Sequence, residues 1–392
     1  MVSNEGMVRI EPSSATYQEF ARLYRIAQEL HPGGEDRWNG ELYARTDDKW
    51  GGMAPDGTMR LNQDLVLDHL TGGELGDDPE RQAQALATVL HESKHARAGI
   101  DAQDEPNAVR RRESFGLNEG LTELATMEDF GEFAQRAGYD GLPQPQPEYA
   151  GAVHATSELL NRATSSEQER TQLLHSAIDQ PVVMGWDAVA DHVVRNELAD
   201  VVPPDPEHQQ AARAHVVNQM AVGEWDGVQN RPGRGPLTAD LATAGVDRAV
   251  GQLREHYQNN PGEPYPAKAP NPAAALSTEA GNGGEQARVN GQEQARTAGR
   301  SETVDLSKLP PPAAGTRVER ATAGAEQAAP AGVGGRADSM RFLADQAPAA
   351  GATNHRPSLG QGARGAGAPA GAGVAKPGLD KGATPPDRGG RG

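Results

Sequence analysis

A break in composition near residue 258 limits what this chain can fold into more than any other feature. Beyond it the sequence is mostly Ala, Gly, Pro, Gln, Arg and Ser, with almost no aromatic or branched apolar residues. Such a stretch cannot bury enough apolar surface to offset its chain entropy, so residues 258–392 are expected to form a long disordered C-terminal tail. Any core must come from residues 1–257, which is ample for one. The repeated "EQAR" at 285–288 and 293–296 reads as low complexity rather than as a repeat architecture. One island, "DSMRFLADQA" at 338–347, gathers Met340, Phe342 and Leu343 and is a candidate docking segment for a partner.

Charge divides at the same place. Of 37 Lys+Arg and 55 Asp+Glu, 22 and 43 precede residue 258, a net of −21 there against +3 in the tail. So acidic a body repels phosphate backbones, which argues against a nucleic-acid partner. The chain has no cysteine, so a metal would have to be held by His, Asp or Glu. No apolar run approaches membrane-spanning length, and no membrane partner is expected. The opening "MVSNEGMVRIEPSS" lacks the basic and apolar regions of a signal peptide. The expected location is cytoplasmic, or outside the cell by a signal-peptide-independent route.

Local patterns give an order of elements. A short strand is expected at 7–11, and a helix capped by Thr16 and Glu19 should run to "HPGG" at 31–34. A strand at 41–46 is followed by a hairpin over 49–62, turning at Pro55-Asp56-Gly57. A short helix is expected at 63–70. Asp78 and Pro79 then open a helix over 79–98, with Ala83, Leu86, Ala87 and Leu90 as its apolar stripe and Gly99 as its stop. A charged loop leads to a helix at 117–138. The Pro-rich "GLPQPQP" at 141–147 is a rigid linker. Helices are expected near 148–163, 166–179, 186–199, 207–222 and 238–257.

Within the 79–98 helix stands His91-Glu92-Ser93-Lys94-His95, an H-E-x-x-H pattern. Residues i and i+4 lie one above the other on a helix, so both imidazoles can reach a single ion. Glu92 projects about 100° further round, where it can contact a water on that ion and act as general base. The bland alternative is a solvated face carrying Glu92, Lys94 and Arg97. Against it, the stripe ending at Leu90 leads straight into His91. Two histidines do not complete a catalytic site, and a third ligand is needed.

Downstream lies "GLNEGLTE" at 116–123. Asn118-Glu119 followed by Thr122-Glu123, shortly after H-E-x-x-H, resembles the second motif of the thermolysin-like gluzincin zinc metallopeptidases. The resemblance covers roughly residues 40–135. It implies Glu119 as the third zinc ligand and Glu123 as the acid that hydrogen-bonds the first histidine. Glu119 and Glu123 are again i and i+4, so one can bind an ion while the other orients a ligand imidazole. The gap after His95 is a few residues longer than is usual in that family and holds no tyrosine to polarise a carbonyl. His154, His175 and His192 are candidates for the histidine that helps hold the oxyanion. A metzincin-like reading competes, with Asp101 as third ligand, but its glycine falls one residue late at Gly99.

The expected fold is α+β and zincin-like. A small antiparallel sheet would lie over the active-site helix, above a mostly helical remainder. Residues 1–140 would be the catalytic core and 141–257 a helical C-terminal subdomain. The strand "GTMRLN" at 57–62 is the expected sheet edge, taking an extended peptide by strand addition. The expected activity is zinc-dependent peptide-bond hydrolysis on a peptide or protein substrate. The rivals are a non-catalytic binding or scaffold protein with a structural or degenerate metal site, and a protease effector or toxin delivered to another cell.

Overall fold

A computed structural model describes residues 6–272 of the chain. These residues are mostly helical with one small three-stranded sheet. The strands are β1 (Val8–Arg9), β2 (Leu42–Arg45) and β3 (Met59–Asn62). The helices are α1 (Ala15–Leu30), α2 (Pro79–His95), α3 (Glu113–Arg136), α4 (Ala150–Ala163), α5 (Glu167–Ile178), α6 (Gly185–Glu197), α7 (Pro206–Met220) and α8 (Gly235–Asn259). Among the described residues no helix is long and apolar enough to cross a membrane. One apolar cluster runs from Phe20 on α1 to Tyr257 on α8, with Trp186 and Trp225 meeting edge to face at 5.1 Å.

The sheet departs from the expected antiparallel arrangement. β1 is antiparallel to β2, but β2 and β3 are parallel, with Leu42 opposite Met59 and Arg45 opposite Asn62. The reason lies in the connection. After β2 the chain reverses through residues 50–54, turns at Pro55-Asp56-Gly57 with Gly57 at φ +90°, and reverses again. The expected hairpin is therefore present, but β3 inserts between β2 and the returning arm. β3 is thus an interior strand rather than the edge expected at 57–62. One side bonds to β2 through Met59 N–H to Glu41 O (3.0 Å). The other bonds to the arm through Arg60 N–H to Gly52 O (2.9 Å) and Asn62 N–H to Trp50 O (2.7 Å).

Capping explains where helices begin. Ser14, not Thr16, caps α1 by accepting from Tyr17 N–H at 3.2 Å, while Glu19 is taken by Arg22 and the Tyr139 hydroxyl. Asp78 caps α2 as its sequence suggests, accepting from Arg81 N–H at 3.0 Å ahead of Pro79. α2 ends three residues sooner than expected. The two residues just past it are tied to the segment after α1, where Arg37 N–H donates to Ala96 O (3.0 Å) and Glu35 N–H to Arg97 O (2.9 Å). Those carbonyls find partners outside the helix, so no glycine stop at Gly99 is needed. At the other end of the chain the boundary expected at 258 is also corrected. α8 runs to Asn259, and Tyr265 N–H donates to the Tyr257 hydroxyl at 3.2 Å. Asn271 is buried and accepts from Arg110, with its own N–H on Pro106 O. The 338–347 island and the rest of the tail lie outside the described residues.

Two glycines bring α3 and its neighbours close. A Cβ on Gly120 would lie 2.1 Å from Thr156 Oγ1 and 2.7 Å from Ala152 O on α4, and one on Gly116 would lie 2.3 Å from Trp225 O. The same helix turn carries Glu119, so this contact sets the depth at which that carboxylate sits. Gly120→Ala is expected to cost about 1–3 kcal/mol through overpacking. Gly131→Ala, on the same helix with nothing within 4 Å of its new Cβ, is expected to be neutral or slightly stabilising. Melting curves of the two variants check this; equal melting points would mean that α4 yields freely.

Candidate metal centre

α2 is not the wet side of an ordinary helix. Burial is almost unbroken from Gln82 to Lys94, and Lys94 is 4% exposed. Its ammonium is ion-paired with Asp129 on α3, which also meets His31 Nε2 at 2.8 Å. A buried cation requires such a partner. The burial carries His91 (4% exposed) and Glu92 (2% exposed) into the space between α2 and α3.

There the second motif meets them. Glu119, fully buried, places Oε2 3.3 Å from His91 Nε2 and Oε1 3.5 Å from His95 Nε2, and the two Nε2 atoms are 3.0 Å apart. Atoms each about 2.0–2.1 Å from one tetrahedral centre are about 3.3 Å from one another. The three separations bracket that value. Glu119 Oε1 is buried without a hydrogen-bond partner, an uncompensated acceptor aimed into a set of imidazole nitrogens. The donor set and its spacing therefore fit a divalent ion of the zinc type.

The neighbours orient these groups. His91 Nδ1 lies 2.8 Å from Glu123 Oε2, close though off the ideal hydrogen-bond line. Glu123 Oε1 is itself held by Glu148 N–H at 2.8 Å. A proton fixed at Nδ1 leaves the Nε2 lone pair facing Glu119. On the other histidine Asn118 Nδ2 sits 3.3 Å from Nδ1. Turned end for end, that amide would present its oxygen, accept the Nδ1 proton and do the same for His95. Tyr149 packs its ring 5.6 Å from that of His91.

Electrostatics follow the geometry. Burial alone would raise the Glu119 carboxyl, but His95 and His91 outweigh it and pull it down to about 2. Burial opposes a charge on His91, yet Glu119 and Glu123 hold its pKa well above the ordinary value. In such a site a proton and a metal ion compete for the same lone pairs. Glu92 is raised, chiefly by burial, and its Oε2 has no hydrogen-bond partner. Burial followed by the nearby carboxylates pushes the Tyr149 hydroxyl well above its usual value, so it stays protonated.

His95, Glu92, Asn118 and Glu119 open onto one cleft of about 520 Å³, measured with its mouth. Met53 and Phe115 form part of its apolar wall, and Arg37 is the cation among its lining residues. Gly51 keeps Glu92 in place, since a Cβ there would lie 2.7 Å from Glu92 Oε1 and 2.9 Å from Thr88 Cγ2.

The sequence assigned His91, Glu92, His95, Glu119 and Glu123, and all five converge. Asp101 does not join them: Arg110 Nε donates to its Oδ1 at 2.7 Å. None of the three candidate histidines lines the cleft. His154 is exposed, His192 bonds Asn196 on the surface (2.8 Å), and His175 stacks on His31 with ring centres 4.0 Å apart. His31, Asp129 and His175 also bring ligand atoms within 4.8 Å, but the Lys94 ammonium already neutralises Asp129. Sequence reading missed Asn118, whose residue name stood inside the motif, and Arg37 and Tyr149, for which no spacing gave a signal. Comparison with models of protein families, with curated proteins and with solved structures finds no match in any of the three.

Purified protein and its variants can be assayed for bound metal. Glu119→Ala is expected to lose the ion, Asp101→Ala to keep it, and Glu123→Gln to weaken its affinity about 10- to 100-fold. Metal lost with Asp101→Ala alone would reverse the assignment.

Proposed function

We propose that this protein is a zinc-dependent peptide hydrolase with a zincin-like active site, in which α2 forms the floor of the cleft and the 50–54 arm its rim. One observation carries this reading. The ligand atoms of His91, His95 and Glu119 converge from two helices, and Glu92, whose Oε2 has no hydrogen-bond partner, lines the same cleft. A purely structural zinc site is closed by four protein ligands, whereas three ligands on an open cleft leave a position for reactant. That contrast favours hydrolysis over a scaffold with a structural metal.

Bound there, zinc would polarise a carbonyl and make water acidic enough to lose a proton near neutral pH. The chain's own residues do the rest. Glu92, with its carboxyl raised by burial, accepts that proton and returns it to the leaving amine nitrogen. Glu123 and Asn118 keep the two imidazoles in the ligating tautomer. The substrate is an extended peptide. Met53 faces Met59 in a non-hydrogen-bonded pair, flanked by Arg60 N–H to Gly52 O and Ala54 N–H to Thr58 O. Its own N–H and C=O therefore point away from β3, on the cleft side where Met53 is exposed to reactant. Strand addition on the 50–54 arm replaces the edge expected at 57–62.

Glu92→Gln is expected to bind metal as the parent does and to lose about 10²–10⁴-fold in turnover of a peptide library. Gly51→Ala, which crowds the same carboxylate, should shift turnover in the same direction. Full activity in Glu92→Gln would end this mechanism. Zinc-replete parent protein that cleaves no peptide would favour the scaffold reading instead.

A further inference from the structure

The body of this protein has few cations, and nearly all its part-buried or buried arginines are spoken for. Arg45 is paired with Asp47, Arg97 with Asp179, Arg110 with Asp101, Arg162 with Glu197, Arg170 with Glu128 and Arg213 with Asp187. Arg37 is different. It is half-buried, burial pulls its pKa down against the opposing charge of Glu35, and among the described residues no carboxylate, Glu35 included, comes within ion-pair distance of it. The hydrogen-bond partners of its guanidinium are both neutral backbone carbonyls: Nη1 donates to Ala98 O at 2.8 Å and Nη2 to Pro55 O at 3.4 Å. Arg60 is likewise buried without a carboxylate, but it does not line the cleft.

Those two bonds matter for what Arg37 can do. Ala98 follows the end of α2, and Pro55 sits at the turn beside the 50–54 arm. The guanidinium is thus pinned between the two segments that frame the cleft. An arginine has five N–H donors in a planar fork, so bonds to two carbonyls leave donors over. A desolvated cation without an anion is costly, and its favoured partner is a carboxylate met through two parallel bonds. The cleft supplies none: Glu92 and Glu119, its acids, face the metal ligands. Glu35 acts on Arg37 only from beyond bonding distance, so the fork is left for a carboxylate that comes with the substrate.

We infer that Arg37 is a specificity residue that holds a carboxylate of the bound peptide while the scissile bond lies over Glu92. This rests on the peptide-hydrolase reading above and adds the substrate class. It also fits the overall charge. In a body of net −21, an acidic peptide group would be turned away from the cleft unless one fixed cation received it. The carboxylate has two sources, an Asp or Glu side chain or the free C-terminus, and the test separates them.

The full-length Glu92→Gln protein, loaded with zinc, is titrated with fluorescent hexapeptides and followed by anisotropy. One arm compares each Glu- or Asp-containing peptide with its Gln or Asn isostere. The other compares free with amidated C-termini. The expected result is about 10- to 100-fold tighter binding of the charged form in one arm, and loss of that preference in a protein that also carries Arg37→Met. If Arg37→Met does not melt cooperatively, Arg37→Lys takes its place. As a point charge without the fork, it should retain only part of the preference. Equal binding of charged and amide forms by the parent overturns the inference. So does a preference that survives Arg37→Met, a parental preference in Arg37→Lys, or the absence of any bound peptide. Binding is read without turnover, so a protein that binds acidic peptides but cleaves none would refute the hydrolase while leaving the role of Arg37 standing.

Discussion

The architecture turns on one buried contact: the Glu119 carboxylate lodged between His91 and His95 at the interface of α2 and α3. It has no access to water and one of its oxygens has no hydrogen-bond partner. An isolated carboxylate in that position would be neutralised by taking up a proton. The opposite shift occurs, because two imidazoles offset the burial. The helices are therefore clamped by charge at the place where their apolar packing is interrupted. Around the clamp the packing is tight. Gly116 and Gly120 let α4 and the 223–228 segment close on α3, so the carboxylate cannot retreat.

The same economy recurs one turn further along. Lys94, inside the H-E-x-x-H pattern between the two histidines, reaches Asp129, further along the same helix α3. Asp129 is held down to about 2, burial being outweighed by His31 and Lys94. α2 thus meets α3 twice, through the two imidazoles at Glu119 and through an ion pair at Asp129. Both fix the rotation of α2 about its axis, on which the meeting of the two imidazoles with Glu119 depends.

The cleft is assembled from pieces far apart in the chain. The segment after α1 bonds the carbonyls of Ala96 and Arg97 just past α2, the 50–54 arm approaches Glu92 at Gly51, and Val182 N–H donates to Gly99 O at 3.0 Å. Asn271 ties the loop between α2 and α3 from the end of the described chain, through Pro106 O (2.7 Å), Gln103 O (3.2 Å) and Glu105 O (3.0 Å). That loop is free to be longer than its motif requires because distant residues brace it.

Sequence alone determined the elements whose causes are local. Asp78-Pro79 starts α2, the Ala83–Leu90 stripe fixes its buried side, and i, i+4 spacing puts His91 above His95 and Glu119 above Glu123. Local geometry is enough for these, since a helix fixes the relative directions of its own side chains. Tertiary structure decided the rest. It made β3 an interior strand, because pairing on both sides is settled by the path of the chain between β2 and β3. It ended α2 at His95, where residues 35 and 37 take the carbonyls of Ala96 and Arg97 just beyond the helix. It carried order past residue 258, where Tyr265 and Asn271 found partners that composition does not reveal. It brought Glu119, and not Asp101, to the two imidazoles, Asp101 going to Arg110. It also brought Arg37 and Tyr149 to the site from 54 residues before and 58 residues after His91. No periodicity links residues so far apart, and only the packing of whole elements can place them together.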